Sequence, residues 1–466
     1  MTTSLHRLTL ALLVAFASLA LTSGYWIVGQ RGELLSRNEN PRNLIAEARI
    51  RRGAILDRHG TALASTSGEP GDYVRAYSLL EAAPVVGYAS LRYGVAGVEA
   101  AESAVLRGEA GRSTLEVEWQ TGLLGAPQLG RDVRLTLDAG LQRAAAAALG
   151  GDVGAVVVLN VTTGEVLAMV SSPAFDPNSL DADWERLIAD THRAPLLNRA
   201  TLGSYQPGGA LQPIIFAGAL ERGLAAPDAV FVAGAPLPQI EWRGATLGCD
   251  VNPDRVLTLA EAFAWACPSP FAELGTQLKV SELTQLLADF GLYDAPELGL
   301  PSAASPRTPV PATLAERRLA AAGLGDLRVS PLQMALVAAA FANHGILPPL
   351  QLVAAAQDAA GQWTIRSPLD HPRSAIGASS ADAVAVLFLS DAGSRATNAT
   401  RGQAHAVGHA SLALTGPAAQ PIAWYLGFAP ALSGAPRFAI AVLIEGATIQ
   451  RAAEVGQTIL GAASPE

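Results

Sequence analysis

Lysine is the scarcest chemically useful residue in this 466-residue chain: Lys279 is its only copy, so any mechanism that needs two lysines is excluded. Thr276 stands three positions before it and makes a formal Thr-x-x-Lys. Most lysines are solvated surface residues, and Lys279 reads as one of them. The two cysteines, Cys249 and Cys267, are too few for a thiolate-held zinc or iron–sulfur centre and allow one bridge. His405 and His409 have the i, i+4 spacing of helical zinc ligands, but they stand just ahead of a strand-like run. There the spacing does not bring both rings to one ion, and a bare His-x-x-x-His is usually accidental, so both read as structural or solvent-facing. Ser411 beside His409 would form a nucleophile and base only if a third group oriented the ring, and nothing local does so. Asp250, Asp254 and Glu261 match no calcium-loop spacing, and Asp254 reads as a cap or turn residue. No metal and no cofactor is expected from these patterns.

The elements that must position such residues follow from composition and periodicity. Half of the residues are hydrophobic and 16% charged, which excludes a disordered chain and invites a search for a membrane segment. Basic residues number 32 and acidic residues 41, a net charge of −9, so nucleic acid is not an expected partner. From Leu8 to Val28 the chain is uncharged, flanked by His6 and Arg7 and by Arg31. This run is long enough to cross a bilayer as a helix. A cleaved signal peptide ending near Ser18 and Ala20 competes with an uncleaved anchor; the anchor is favoured because apolar residues continue to Trp26 and Val28. Both readings export the remainder.

Three domains are expected: an anchor over 1–29, a small turn-rich pedestal over 30–130, and a large domain over 131–466. The pedestal carries the cluster Arg49, Arg51 and Arg52, read as pairing with acidic neighbours, with contact to anionic lipid or a partner as the alternative. In the large domain a short strand leads to Asp138 as N-cap of an alanine-rich helix ending at Gly150 and Gly151. Two β-rich runs around Thr163 and Gly164 predict a hairpin, and strands recur only near the end, in AWYLGFAP and RFAIAVLIEG. The stretch between reads as helical, with caps at Asp254, Ser281 and Ser330. Strands at both ends and helices between predict an α+β fold whose sheet is assembled from distant segments.

At several of these landmarks the residues resemble class B penicillin-binding proteins. RIRRGAILDRHGTALAST (49–66) is similar to the opening of that family's pedestal, and YGVAGVEAAESAVLRG (93–108) to its closing Gly-x-x-Gly-x-Glu stretch. TLDAGLQ, GAVVVLNVTTGEVLAMVSSPAFDPN, LLNRATLGSYQPGG, GLGDLRVSPLQMALVAAAFANHG, AWYLGFAP and RFAIAVLIEG follow in family order. The resemblance implies a penicillin-binding, transpeptidase-like α+β domain with an antiparallel sheet and a helical subdomain, set on a pedestal and an N-terminal transmembrane helix. It also implies a peptidoglycan-synthesis protein at the cell membrane, single-pass and mostly extracytoplasmic, whose relatives crosslink stem peptides through an acyl-serine.

Checked residue by residue, the family's chemistry is missing. Its Ser-x-x-Lys supplies a nucleophile and an activating base; here Gly209 stands for the serine and Gln212 for the lysine. Its Ser-x-Asn is replaced by Ala266, Cys267 and Pro268, and its Lys-Thr-Gly by Leu414, Thr415 and Gly416. The residue after that motif, whose amide completes the family's oxyanion hole, is Pro417, which has no N–H. Losing one such donor costs about 100- to 1,000-fold in rate. The resemblance also implies a Cys249–Cys267 disulfide beside the second motif, in an exported chain.

The expected function is therefore a catalytically inactive member of the transpeptidase family, a structural or regulatory partner in cell-wall synthesis. Its partners would be the membrane, a membrane-embedded glycan polymerase or other cell-wall proteins, and stem peptides. Two other readings stay open: an active D,D-transpeptidase or carboxypeptidase using other residues, and a module that binds stem peptides without reacting. Gly209, Gln212, Cys267 and Leu414 are expected to line one groove. Pro213 predicts a helix that starts no earlier than Gly209, and allows a start delayed until Gln212 caps it with Pro213 as first helical residue.

Overall fold

The computed structural model describes residues 2–26, 41–113, 127–230, 239–250, 255–307, 313–395, 406–429 and 437–463. His405 and Asp254 lie outside them. Helix α1 (Thr2–Gly24) contains a span, His6–Gly24, long and apolar enough to cross a membrane, and none of that span is buried against the protein. Two of its hydroxyls are satisfied within the helix: Ser18 donates to the Val14 carbonyl at 2.8 Å and Thr22 to that of Ser18 at 2.7 Å, which lowers the cost of carrying them in an apolar surrounding.

The pedestal is organised by one carboxylate. Glu99 is fully buried; it accepts from Arg52 Nε at 2.9 Å, from Arg75 Nε at 2.7 Å and from the Tyr77 hydroxyl at 3.2 Å. Arg52 also meets Glu47, so one member of the basic cluster pairs with pedestal acids, while Arg49 and Arg51 are exposed. Burial, reinforced by Glu99, raises the Tyr77 hydroxyl above its ordinary range, which keeps it a neutral donor. Strands β1 (Ile55–Leu56), β2 (Ala62–Ser67) and β3 (Val74–Tyr77) continue into β4 (Val133–Leu135) beyond the pedestal.

Beyond β4, Asp138 caps helix α2 (Ala139–Leu149), accepting from the amides of Gly140 and Leu141. Burial alone would raise the Asp138 pKa, but those amides and His59 hold it below the usual carboxylate range. Strands β5 (Gly154–Asn160) and β6 (Val166–Ser172) form the hairpin around Thr163 and Gly164. Helix α3 (Gln212–Glu221) precedes a second hairpin, β7 (Ile240–Trp242) and β8 (Ala245–Leu247), and helix α4 (Pro268–Gln277) follows. Helix α5 (Pro331–Ala342) starts at Ser330, whose side chain and that of Gln333 cap each other's backbone. After β9 (Val353–Gln357) and β10 (Trp363–Ile365), strands β11 (Val407–Thr415), β12 (Gln420–Ala429) and β13 (Phe438–Glu445) precede helix α6 (Ile449–Ala463).

The main sheet is antiparallel with order β6-β5-β13-β12-β11, so β11 is an edge. Period-two alternation divides β5: Ala155, Val157 and Leu159 face the helical side, whereas Val156 and Val158 face α2 and α6. With both faces covered, the run GAVVVL is apolar throughout, and Asn160 ends it partly exposed. A second, six-stranded sheet has order β10-β9-β4-β1-β2-β3 and joins pedestal strands to strands of the large domain.

Two expectations about elements need correction. Strands do occur between the first hairpin and the C-terminal strands, at β7, β8, β9 and β10. They are three to five residues long, too short to show a period, and β9 is alanine-rich. Ser281 is not a cap: the helix Val280–Asp289 takes Lys279 as N-cap, and Glu282 reaches back to the Lys279 amide at 2.9 Å.

Candidate functional site

One turn of 3₁₀ helix, Gly208–Leu211, leads into α3, with Pro213 in its first turn. Leu211, not Gln212, is the N-cap, because the 3₁₀ turn already carries the chain in helical conformation up to Gln212. Proline is tolerated there since its missing N–H would have no intrahelical partner. The turn is held from two sides. Tyr205 exchanges backbone hydrogen bonds with Val329, at 3.0 and 2.8 Å, and the Trp424 indole donates to the Gln206 carbonyl at 3.1 Å.

Gln212 donates through Nε2 to the Cys267 carbonyl at 3.1 Å, which brings the first two motif positions together. Cys267 is bonded to Cys249 and caps α4, with Pro268 in the first turn. Ala266 adopts a positive φ of 48° just before it. Ser269, one residue further on, accepts from Arg318 at 3.0 Å.

Strand β11 closes directly onto the turn. A Cβ on Gly209 would lie 2.6 Å from Ser411 Cβ and 3.1 Å from its Oγ. At Gly208, with φ of +51°, a Cβ would lie 2.3 Å from Ala413 Cβ and 2.5 Å from its Cα. Such distances are well inside van der Waals contact, so the strand approaches this closely only because both residues are glycines. His409, on the same face two residues before Ser411, is fully buried, stacks on Phe263 at 4.2 Å and places Nε2 3.3 Å from the Gly209 carbonyl. His409 is thus a strand residue serving as a buried donor, while His405 lies outside the described residues.

Leu414, one position on from Ala413, belongs to a separate apolar cluster with Ile240, Trp242, Leu247, Ala272, Ala322, Leu324 and Ala419. Thr415 is half-buried, and the Gln206 side chain bridges it to Arg328. The amide orientation that satisfies both neighbours donates to Thr415 Oγ1 at 2.7 Å and accepts from Arg328 Nη1 and Nη2 at 3.2 and 3.0 Å. Burial, with help from Arg243, lowers the Arg328 pKa, and Asp326 opposes it. Gly416 (φ 71°) and the exposed Pro417 form the turn into β12.

The first two motif positions thus meet and β11 closes on them, but Leu414 packs in a separate cluster, so among the described residues the four positions do not line the one groove expected. Gly209, Gln212, Cys267 and Ser411 are all buried, and Ser411 Oγ and Gln212 Oε1 have no hydrogen-bond partner among the described residues. Sequence reasoning gave no role to Gln206 or Arg328 and set His409 and Ser411 aside. The alternation within β11 puts 409, 411 and 413 on one face, but it does not say which face meets the turn.

The family model for the penicillin-binding protein transpeptidase domain matches residues 154–462, and that for the penicillin-binding protein A dimerisation domain matches 52–133. The chain belongs to the penicillin-binding protein transpeptidase family. Among its relatives, the peptidoglycan D,D-transpeptidase PbpA of Mycolicibacterium smegmatis is 32% identical, over 96% of this chain and 94% of that one. PbpA of Mycobacterium tuberculosis is 30% identical over 99% of both. The solved imipenem acyl-enzyme complex of penicillin-binding protein A from M. tuberculosis superposes with a TM-score of 0.79 at 30% identity, covering 90% of this chain and 99% of that one. The D,D-transpeptidase domain of a peptidoglycan glycosyltransferase from Eggerthella lenta gives 0.75 at 28% identity, over 89% and 99%.

Proposed function

We propose that this chain is a catalytically inactive penicillin-binding protein. In this reading it is anchored by α1, carries its pedestal (30–130) and transpeptidase-like domain (131–466) outside the cytoplasm, and acts as a structural or regulatory partner in peptidoglycan synthesis. The observation that carries it is the contact between Gly209 and Ser411: the place where a nucleophile would project is occupied by the side chain of the neighbouring strand. Gln212 offers an amide, with no basic lone pair near neutral pH, where a base is needed. Pro417 removes an oxyanion donor, and Leu414 removes a cation that would attract a carboxylate. A membrane-embedded glycan polymerase, contacted through the pedestal and anchor, is the partner this reading favours.

Incubation of the full chain with a fluorescent penicillin, followed by a denaturing gel and intact mass, tests the reading. No adduct is expected. A stoichiometric adduct that survives denaturation would overturn it and favour an active transpeptidase, with the modified residue identifying the nucleophile. The third reading, a stem-peptide module, predicts saturable muropeptide binding without turnover, whereas the closed site predicts none.

A further inference from the structure

The β7–β8 hairpin packs beside the end of β11 that carries the third motif position. Its register pairs Ile240 with Leu247, Glu241 with Thr246 and Trp242 with Ala245, across a two-residue turn in which Arg243 and Gly244 both have positive φ, 49° and 81°. Ile240, Trp242 and Leu247 are buried, packed in the cluster that contains Leu414 and Ala419. At the tip, Arg243 covers the Trp242 ring at 4.7 Å and its Nη1 lies 3.5 Å from the Gly416 carbonyl. The hairpin therefore spans from the second motif position to the third. It is a pair of three-residue strands, which alone is marginal in water. Two residues after β8, Cys249 is covalently joined to Cys267, the residue whose carbonyl receives Gln212.

We propose that the Cys249–Cys267 disulfide is a redox-operated latch that holds this hairpin against the end of β11, so that access to the degenerate site depends on the oxidation state of the pair. Cys267 is fully buried and Cys249 half-buried, which directs attack to Cys249. A thiolate of a dithiol reductant bonds to the Cys249 sulfur, the S–S bond breaks and Cys267 leaves as a thiolate. The second thiol of the reductant then displaces Cys249, the reductant becomes a disulfide, and its two protons end on the two cysteines. Released from its covalent end, the hairpin keeps the apolar contact, the tip and the hydrogen bonds of Asp250, whose amide donates to the Trp265 carbonyl at 2.9 Å and whose carboxylate accepts from Gln450 at 2.8 Å. Its opening uncovers Leu414 and the strand edge. The inference rests on the placement of the end of β11 against the hairpin and does not require the site to be inert.

The test is hydrogen exchange with mass spectrometry on the full chain in detergent, oxidised and after dithiothreitol, with alkylation to confirm that both thiols are free. Reduction is expected to raise exchange in 240–247 and 411–416 by about tenfold or more, while 154–160 in the sheet centre is unchanged. Cys249→Ser should reproduce the reduced pattern. Trp242→Ala, with the bridge intact, should loosen the tip without freeing Cys249. Two alkylated thiols with unchanged exchange at the hairpin would overturn the latch, as would a rise spread evenly over the sheet. Penicillin labelling separates the two readings: an adduct confined to the reduced protein keeps the latch and overturns inertness, whereas unchanged hairpin exchange without an adduct overturns the latch alone.

Discussion

Substituting Gly209 by alanine adds one methyl group at the point where β11 meets the 3₁₀ turn. Its Cβ would sit 2.6 Å from Ser411 Cβ, where ordinary carbon contacts are about 3.5–4 Å, so roughly 1 Å of movement is required. Ser411 lies in a nine-residue strand hydrogen-bonded to β12 along its length, which resists that shift. Overpacking of a well-filled core costs about 1–3 kcal/mol. Removing a glycine from the unfolded chain returns about 0.4–1 kcal/mol. A net loss of about 1–2 kcal/mol is expected, read from urea unfolding of the detergent-solubilised protein. The cause is tested by a cycle with Ser411→Gly, which opens the contested space: the double variant should recover most of the loss, a coupling of about 1 kcal/mol or more. A neutral Gly209→Ala, or a loss that Ser411→Gly leaves untouched, would refute the close approach. The same contact predicts that restoring a serine at 209 and a lysine at 212 does not by itself restore acylation.

Glu99→Ala should cost about 3–5 kcal/mol, because it leaves the buried Arg52 and Arg75 guanidinium groups without their carboxylate; limited proteolysis should then cut first within the pedestal. Glu261 is held at about 2, chiefly by the Arg255 side chain and then by the Thr258 amide. A depressed carboxylate stabilises above its unfolded value near 4.5 and loses that contribution as pH falls through the folded one. The helix Leu259–Ala264, which Thr258 and Glu261 cap together, should therefore keep its exchange protection down to about pH 4 and lose it towards pH 2. Loss beginning above pH 5 would contradict the assignment.

The parts of the fold that could be read from sequence are those whose signals are local. Thr163 and Gly164 mark a hairpin, Ser330 marks a helix start, and an uncharged run marks α1. The proposed motif substitutions rest on residue type alone. The closure of the site was not legible. It depends on which face of VGHASLALT meets the turn, and both faces of that strand carry small or apolar residues. The contact between Gly209 and Ser411 joins residues on opposite sides of the domain's sequence, and so does the link from Arg328 through Gln206 to Thr415. The hairpin beside the site escaped for another reason: with three residues per strand, only Arg243–Gly244 announces it.

The six-stranded sheet bears on mechanics. Strands β1 to β3 come from the pedestal, β9 and β10 from the far side of the large domain, and β4 ties the two sets by pairing with both β1 and β9. Ile55, Leu63, Val133 and Leu135 belong to the same continuous core as Val157 and Leu443 of the main sheet. Among the described residues, the two sets of strands cannot pivot about β4 without separating paired strands and exposing that core. A load applied to the pedestal strands would be carried to the head as through a rigid lever, and a torque on one set would turn the other with it.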